Sequence, residues 1–240
     1  MTKKTALVFG GSRGIGAAIV EALARDGYDV ALTYVSSKPD PMPAPAGATV
    51  KAYQVDIRDP KSVANVFGKV SSDFGGAPSC VVANAGINVP PGPLGQFDDE
   101  KFRDLVEVNI VGAYNILKGA AANVADGGTI IGLTTSLVRF AAPGLGPYSA
   151  TKAAVECLLR SMQKELAGRG IRVNGVAPGP VDTDLFRSGK DEAAVQRSAG
   201  MSPFNRVGDP KEIGEVVAFL ASEKSSWIAG QIVQPNGGLV

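Results

Sequence analysis

The chain contains no histidine. Ser-His-Asp and Cys-His catalysis are therefore excluded, and the usual zinc sites lose a main ligand. Any acid–base chemistry falls to Tyr, Lys, Asp, Glu or Cys. Cysteine is scarce too. Cys80 and Cys157 are the only two, both sit in apolar patterns, and both are expected as buried free thiols rather than a disulfide or metal pair. Neither sign of charge dominates: 24 Lys plus Arg face 23 Asp plus Glu, so nothing asks for a nucleic acid or an anionic membrane. No apolar run approaches the roughly 20 residues of a membrane span. The start, Met1-Thr2-Lys3-Lys4, leads into a short strand-like run and not a signal segment. These absences together predict a cytoplasmic, soluble protein.

What is present alternates. Residues 5–9 form a continuous apolar run, the pattern of a strand buried on both faces of a parallel sheet. It enters Gly10-Gly11-Ser12-Arg13-Gly14-Ile15-Gly16 and then an amphipathic helix over 17–25, stopped by Gly27. Strand, glycine turn and helix make the setting of a dinucleotide-binding loop, in which a helix N-terminus favours a phosphate. A plain tight turn is the rival. Further strands are predicted over 29–35, 49–55, 79–83, 129–133, 171–177 and 231–234, and helices from Asp59-Pro60 to about residue 70, over 98–124, after Pro147 to 166, over 192–197 and over 211–220. Four prolines (Pro39, Pro41, Pro43, Pro45) make an interior helix over 39–47 implausible, so that stretch reads as an exposed, semi-rigid connection. The alternation predicts an α/β fold: a single doubly wound parallel sheet with helices on both faces, and one domain over 1–240.

Several polar residues fall at strand ends or inside apolar helices. Strand two ends Tyr34-Val35-Ser36-Ser37-Lys38 without the carboxylate that would bind an NAD 2′-hydroxyl. Arg13 and Lys38 could instead pair with a 2′-phosphate, which points to NADP(H) over NAD(H); a solvated surface charge is the rival for each. Asp56-Ile57 ends strand three, where Asp56 either meets an adenine edge or caps the next helix. Asn84-Ala85-Gly86 ends strand four and permits close approach of a ligand. Asn109 lies in an apolar helix and must be hydrogen-bonded; it either stitches the helix or orders water near a reactive centre. Ser136 follows strand five. Tyr148 and Lys152 are i and i+4 on one helix face. An ammonium there would favour the phenolate of a tyrosine whose free pKa is about 10.

In order and spacing this set resembles the classical short-chain dehydrogenase/reductase family, across essentially the whole chain. The resemblance implies a Rossmann fold, and a cofactor held by Gly10, Ser12, Arg13, Gly14, Ile15, Gly16, Ser36, Lys38, Asp56, Ile57, Asn84, Ala85, Gly86, Tyr148, Lys152, Pro178, Gly179, Val181 and Thr183. It implies Tyr148 as the proton donor in ketone reduction and Lys152 as the group that lowers its pKa and binds the nicotinamide ribose. It also implies Ser136 orienting the substrate oxygen, Asn109 holding a water chain, and Thr183 with the Val181 backbone fixing the carboxamide. Phe9 and Ala83 depart from the family pattern at the glycine loop. Within the family the chain most resembles the 3-oxoacyl-carrier-protein reductase type and its relatives acting on small ketones, and the implied assembly is a homotetramer or homodimer built through the helix bearing Tyr148 and Lys152 and the long helix before it, where Ala150, Ala153 and Ala154 would allow close packing.

The stretch 124–128 is not basic, so a docking site for an acidic carrier protein is weak, with Arg169 and Arg172 as the remaining candidate charges. The expected function is therefore NADPH-dependent reduction of a small, mostly apolar ketone, with Ile87, Leu137, Val138, Leu145, Phe186 and Phe204 as candidate pocket walls and a cover at about 181–205. The alternatives are a carrier-protein reductase of fatty-acid synthesis and a non-catalytic NADP-binding regulator.

Overall fold

The computed structural model describes residues 3–36, 39–40, 45 and 47–240. Seven strands form one sheet in the order β3-β2-β1-β4-β5-β6-β7, with every pairing parallel. They are β1 (Thr5–Phe9), β2 (Asp29–Tyr34), β3 (Val50–Gln54), β4 (Cys80–Ala83), β5 (Thr129–Leu133), β6 (Arg172–Val176) and β7 (Ile232–Val233). The order reverses between β1 and β4, the doubly wound switch point at which such sheets bind ligands beyond their strand C-termini.

The central strands read as continuous apolar runs because both of their faces are covered. Leu7, Phe9, Val81, Ala83 and Ile130 face one core, with side chains from α2 (Pro60–Phe74), α4 (Ala113–Asn123) and α5 (Gly146–Leu166). Ala6, Val8, Val82, Ile131 and Leu133 face the other, with α1 (Gly14–Arg25) and α8 (Pro210–Ala221). The period-two alternation of one strand thus feeds both layers.

Three local features differ from expectation. The helix predicted over 98–124 is α3 (Asp99–Val106), a π-helical stretch (Glu107–Gly112) and α4, so one extra residue is wound in around Asn109. Helix α2 continues to Phe74 through polar residues, which carry no apolar period, until Gly75 adopts φ 74°. A short helix, α6 (Asp184–Arg187), precedes α7 (Glu192–Ala199). The two cysteines also part company. Cys80 is buried as expected, but Cys157 lies on the outer face of α5 and is exposed. An apolar sequence neighbourhood does not decide which face of a helix a residue takes. Lys38 and most of the 39–47 connection lie outside the described residues.

Candidate active site

The glycine turn is held from both sides. Gly10 N–H donates to Thr33 Oγ1 of β2 at 3.0 Å, and Asn84 Nδ2 of β4 donates to Gly10 O at 2.8 Å. Phe9, out of pattern, is fully buried and stacks at a tilt against Phe67, 5.8 Å between ring centroids. Thr33 and Asn84 therefore support the turn without a hydroxyl at position 9. Gly10 and Gly14 have φ of 73° and 52°, where L side chains are strained. A Cβ on Gly16 would overlap the Gly10 carbonyl, and one on Gly14 would come within 3.3 Å of Thr183 Cγ2. The turn thus packs on itself at Gly16 and against Thr183 at Gly14 too closely for a larger residue, and its bare backbone opens α1, the setting in which a helix N-terminus favours a phosphate.

Arg13 is the extended residue just before α1; it is exposed and, among the described residues, has no carboxylate partner. Ser36 is exposed at the end of β2. Asp56 does not cap α2: Asp59 does so, accepting from Lys61 N–H at 2.9 Å. Asp56 instead takes the Arg58 guanidinium at 2.6 Å and the Arg58 N–H at 3.0 Å, which holds its carboxyl below the usual range. Ile57 is buried, its carbonyl accepting from Asn115 Nδ2 at 2.9 Å.

The reactive candidates converge beyond β4 and β5. Asn109 is 1% exposed; its Oδ1 accepts from Ile87 N–H at 2.9 Å, and its Nδ2 donates to Ile87 O at 2.9 Å and to Thr151 Oγ1 at 3.2 Å. It stitches the π-helical stretch to the segment after β4 and to α5. The extra residue of that stretch provides the reach. A Cβ on Gly86 would lie 3.0 Å from Asn109 Oδ1 and 3.2 Å from Lys152 Nζ, so the amide and the ammonium meet at this glycine. Pro147 fills the first turn of α5, where its missing N–H costs nothing. Tyr148 follows, half-buried, and Lys152 is 6% exposed with its Nζ donating to Leu133 O of β5 at 3.1 Å.

The electrostatics correct the expected one. Lys152 does not lower the Tyr148 pKa here. Burial pushes the Tyr148 phenol up to about 12 and brings the Lys152 ammonium down to about 8. Loss of water disfavours the charged form of each group, and the ammonium is turned to a backbone carbonyl. Lysine at about 8 still carries its proton at neutral pH, so an attractive charge remains available one turn from the phenol.

Ser136 is brought to the site but committed elsewhere. It is 1% exposed, and its hydroxyl donates to Ala177 O of the segment after β6 at 2.8 Å. Its neighbour Thr135, not singled out from the sequence, accepts the Leu137 N–H at 3.3 Å, and among the described residues its hydroxyl donates to no acceptor. Thr183 Oγ1 caps α6, accepting from Phe186 N–H at 3.1 Å. Val181 is buried, and a Cβ on Gly179 would meet Asn236 Cα at 3.0 Å. Of the proposed wall residues, Ile87, Leu137, Val138, Leu145 and Phe186 are half-buried and Phe204 is 72% exposed.

Arg169 and Arg172 are not free for docking. Arg169 pairs with Asp126 at 2.7 Å and caps the Ala121 and Val124 carbonyls, each at 2.6 Å. Arg172 holds the carbonyls of Leu220 and Ser222 at 2.9 and 3.1 Å. Among the described residues no group of Cys, Asp and Glu could hold a metal ion, and no helix is long and apolar enough to cross a membrane.

Comparison with known proteins follows this geometry. A family model described as enoyl-(acyl carrier protein) reductase matches residues 10–240. The chain is 37% identical over 254 residues to an NADPH-dependent aldehyde reductase-like protein, chloroplastic, of Arabidopsis thaliana, covering 99% of this chain and 94% of that protein. It is 36% identical over 243 residues to a 3-oxoacyl-(acyl-carrier-protein) reductase of Staphylococcus aureus, covering 98% of each. A short chain dehydrogenase from Burkholderia cenocepacia, solved in complex with NADP, superposes with a TM-score of 0.87 at 32% identity, covering 98% of this chain and 97% of that one. The matched span, the doubly wound sheet and the Tyr148–Lys152 face of α5 agree, and the chain belongs to the short-chain dehydrogenase/reductase family.

Proposed function

We propose that the protein is an NADPH-dependent carbonyl reductase acting on small, free, mostly apolar ketones or aldehydes. The observation that carries this reading is the meeting of Lys152 Nζ and Asn109 Oδ1 at Gly86, one turn along α5 from Tyr148. The chain is an oxidoreductase of its family with NADP(H) as cofactor. The residues present fit that cofactor: Gly10, Gly14 and Gly16 keep the backbone of the turn bare at the N-terminus of α1, Arg13 offers a guanidinium without a carboxylate partner among the described residues for a 2′-phosphate, and the end of β2 lacks the carboxylate that would repel it. When bound, NADPH supplies the hydride.

The chain's own residues supply position and the proton. The Tyr148 hydroxyl gives its proton to the carbonyl oxygen as negative charge develops there. Lys152, still protonated at neutral pH, offsets the charge left on the phenolate. Asn109 holds the segment after β4 against α5, and in this reading the water chain that returns a proton. A hydroxyl from the turn after β5 donates to the substrate oxygen. Ser136 is the candidate that the family resemblance names, but the free proton on Thr135 favours Thr135. Thr135→Val should then cost more turnover than Ser136→Ala.

Exposed Leu185, Met201 and Phe204 in the 181–205 segment suit an apolar substrate beneath that cover. The engagement of Arg169 and Arg172 favours a free substrate over a carrier-bound one. A cytoplasmic homotetramer belongs to the same proposal; Ala150 is exposed on α5 and Ala153 and Ala154 are half-buried there.

The test is NADPH consumption with butanal, with ethyl acetoacetate and with a carrier-bound 3-oxoacyl thioester. Turnover of the free carbonyls, with Tyr148→Phe slower by about 10³-fold and NADPH binding kept, supports the reading. Preference for the carrier-bound substrate would move the assignment to fatty-acid synthesis. NADPH binding with no turnover of any probe would favour the regulatory alternative.

A further inference from the structure

The face of α5 that carries Tyr148 and Lys152 continues one turn further to Glu156. Its side chain is 2% exposed, in a place where an ionised carboxylate must be paired. Arg139 supplies the pair as a fork: Nη1 donates to Oε1 and Nη2 to Oε2, both at 2.8 Å. The Thr134 hydroxyl donates to Oε1 at 3.2 Å, and Arg160 Nη1 lies 3.7 Å from Oε2. Two parallel charged bonds fix an orientation as well as a distance.

What the fork joins gives it meaning. Arg139 closes the short turn after β5 (Ser136–Val138), its N–H donating to Ser136 O at 2.9 Å. Ser136 is tied in turn to the segment after β6, N–H to Pro178 O at 2.9 Å and hydroxyl to Ala177 O at 2.8 Å. The turn bearing Thr135 and Ser136 is thus fastened to the sheet at one end and to the Tyr148 helix at the other. Between Arg139 and α5 the chain runs through Pro143 and Gly144 with no helix or strand to set the spacing.

We infer that Glu156 and Arg139 are positioning residues, which set the turn hydroxyls against the Tyr148 hydroxyl by bolting the turn to α5. The inference rests on the proposed role of Tyr148. Stability alone is a poor account of the pair, because a well-packed apolar pair commonly serves a fold as well as a buried ion pair does.

That alternative defines the experiment. In R139M/E156M both charges leave together. Thr134 keeps the Val176 carbonyl as an acceptor at 3.3 Å, and Arg160, with a side chain 51% exposed, stays solvated. No buried polar group is orphaned. With butanal and NADPH as probes, we expect this variant to melt close to the wild type and to keep its KM for NADPH. Its kcat should fall at least about tenfold, since small misplacement of reacting groups costs up to about 10²-fold. E156Q alone should lose both stability and kcat. R139K, which keeps the charge but not the fork, should fall between, with KM unchanged; it also serves if the double variant fails to fold. Wild-type kcat in R139M/E156M or in R139K, beside an inactive Tyr148→Phe, would overturn the inference. Activity in Tyr148→Phe would overturn the reading of the site instead. A crystal structure of R139M/E156M with the turn unmoved would also overturn the inference, whatever the substrate proves to be.

Discussion

The β5–α5 side of the sheet and the β2–β3 side are built differently. On the first, polar side chains are buried with defined partners: Lys152 on a strand carbonyl, Glu156 on a guanidinium fork, Asn109 on the segment after β4 and on α5. On the second, β3 is only half covered and Ser36 and Arg13 stand in solvent. Fixed, water-poor geometry suits proton transfer, where direction and distance decide the rate. An exposed guanidinium on a tight turn suits a phosphate, whose oxygens its fork of donors can meet from solvent. Changes at the two sides should therefore fail differently: loss of rate on one, loss of cofactor choice on the other.

After Tyr148→Phe, the largest effect is expected at Lys152. Lys152→Met should lower kcat by about 10²-fold or more while NADPH binding falls less, read from steady-state kinetics and a fluorescence titration. The same variant tests the burial of the ammonium. Its folded pKa of about 8 lies below the ordinary 10.5, so between those values the unfolded chain binds more protons. Stability from this site then rises with pH from about 8 to 10.5. Urea melts at pH 8 and pH 10 should show that rise, on the order of 2 kcal/mol, in the wild type relative to Lys152→Met. Parallel curves would mean that the lysine is solvated.

The next effect falls on the glycine turn, which both sides share. Gly16→Ala places a methyl on the Gly10 carbonyl, so NADPH affinity should drop by at least about tenfold, with a lower melting temperature. Unchanged binding would show that the turn can open. Smaller still, Arg13→Ala should weaken NADPH by about tenfold, the value of one charged hydrogen bond, and leave NADH nearly untouched. Equal losses for both cofactors would erase the contrast between the two sides. The smallest expected change is at Asp56. Asp56→Ala removes a carboxylate already paired with half-exposed Arg58, and stability should move by less than about 1 kcal/mol.

Much of the fold was legible because both covered faces of a parallel strand are apolar and because helix starts carry Asp or Pro. Asp59-Pro60 and Asp209-Pro210 open α2 and α8 where they were expected. The candidate site positions Asn84, Asn109, Tyr148 and Lys152 were legible as polar residues in apolar or glycine-rich settings. Others were visible but unread. Thr33 is a lone hydroxyl in an apolar strand, and Glu156 continues the Tyr148–Lys152 spacing by another four residues. Neither can be distinguished from a solvated side chain until the facing element is known. Cys157 shows the reverse error, since an apolar neighbourhood concealed an exposed face.

The sequence by itself determined the alternation of strands and helices, the glycine turn, the absence of histidine chemistry and the i, i+4 pairing of Tyr148 with Lys152, because each follows from local backbone geometry or residue chemistry. Only the tertiary structure decided what the buried groups do. Which carbonyl accepts the Lys152 hydrogen bond, which acceptors the hydroxyls of the 134–136 run find, and which arginine meets Glu156 depend on contacts between distant segments. So does the direction in which the Tyr148 and Lys152 pKa values move, because water exclusion belongs to the assembled sheet and its helices and to no short stretch of chain.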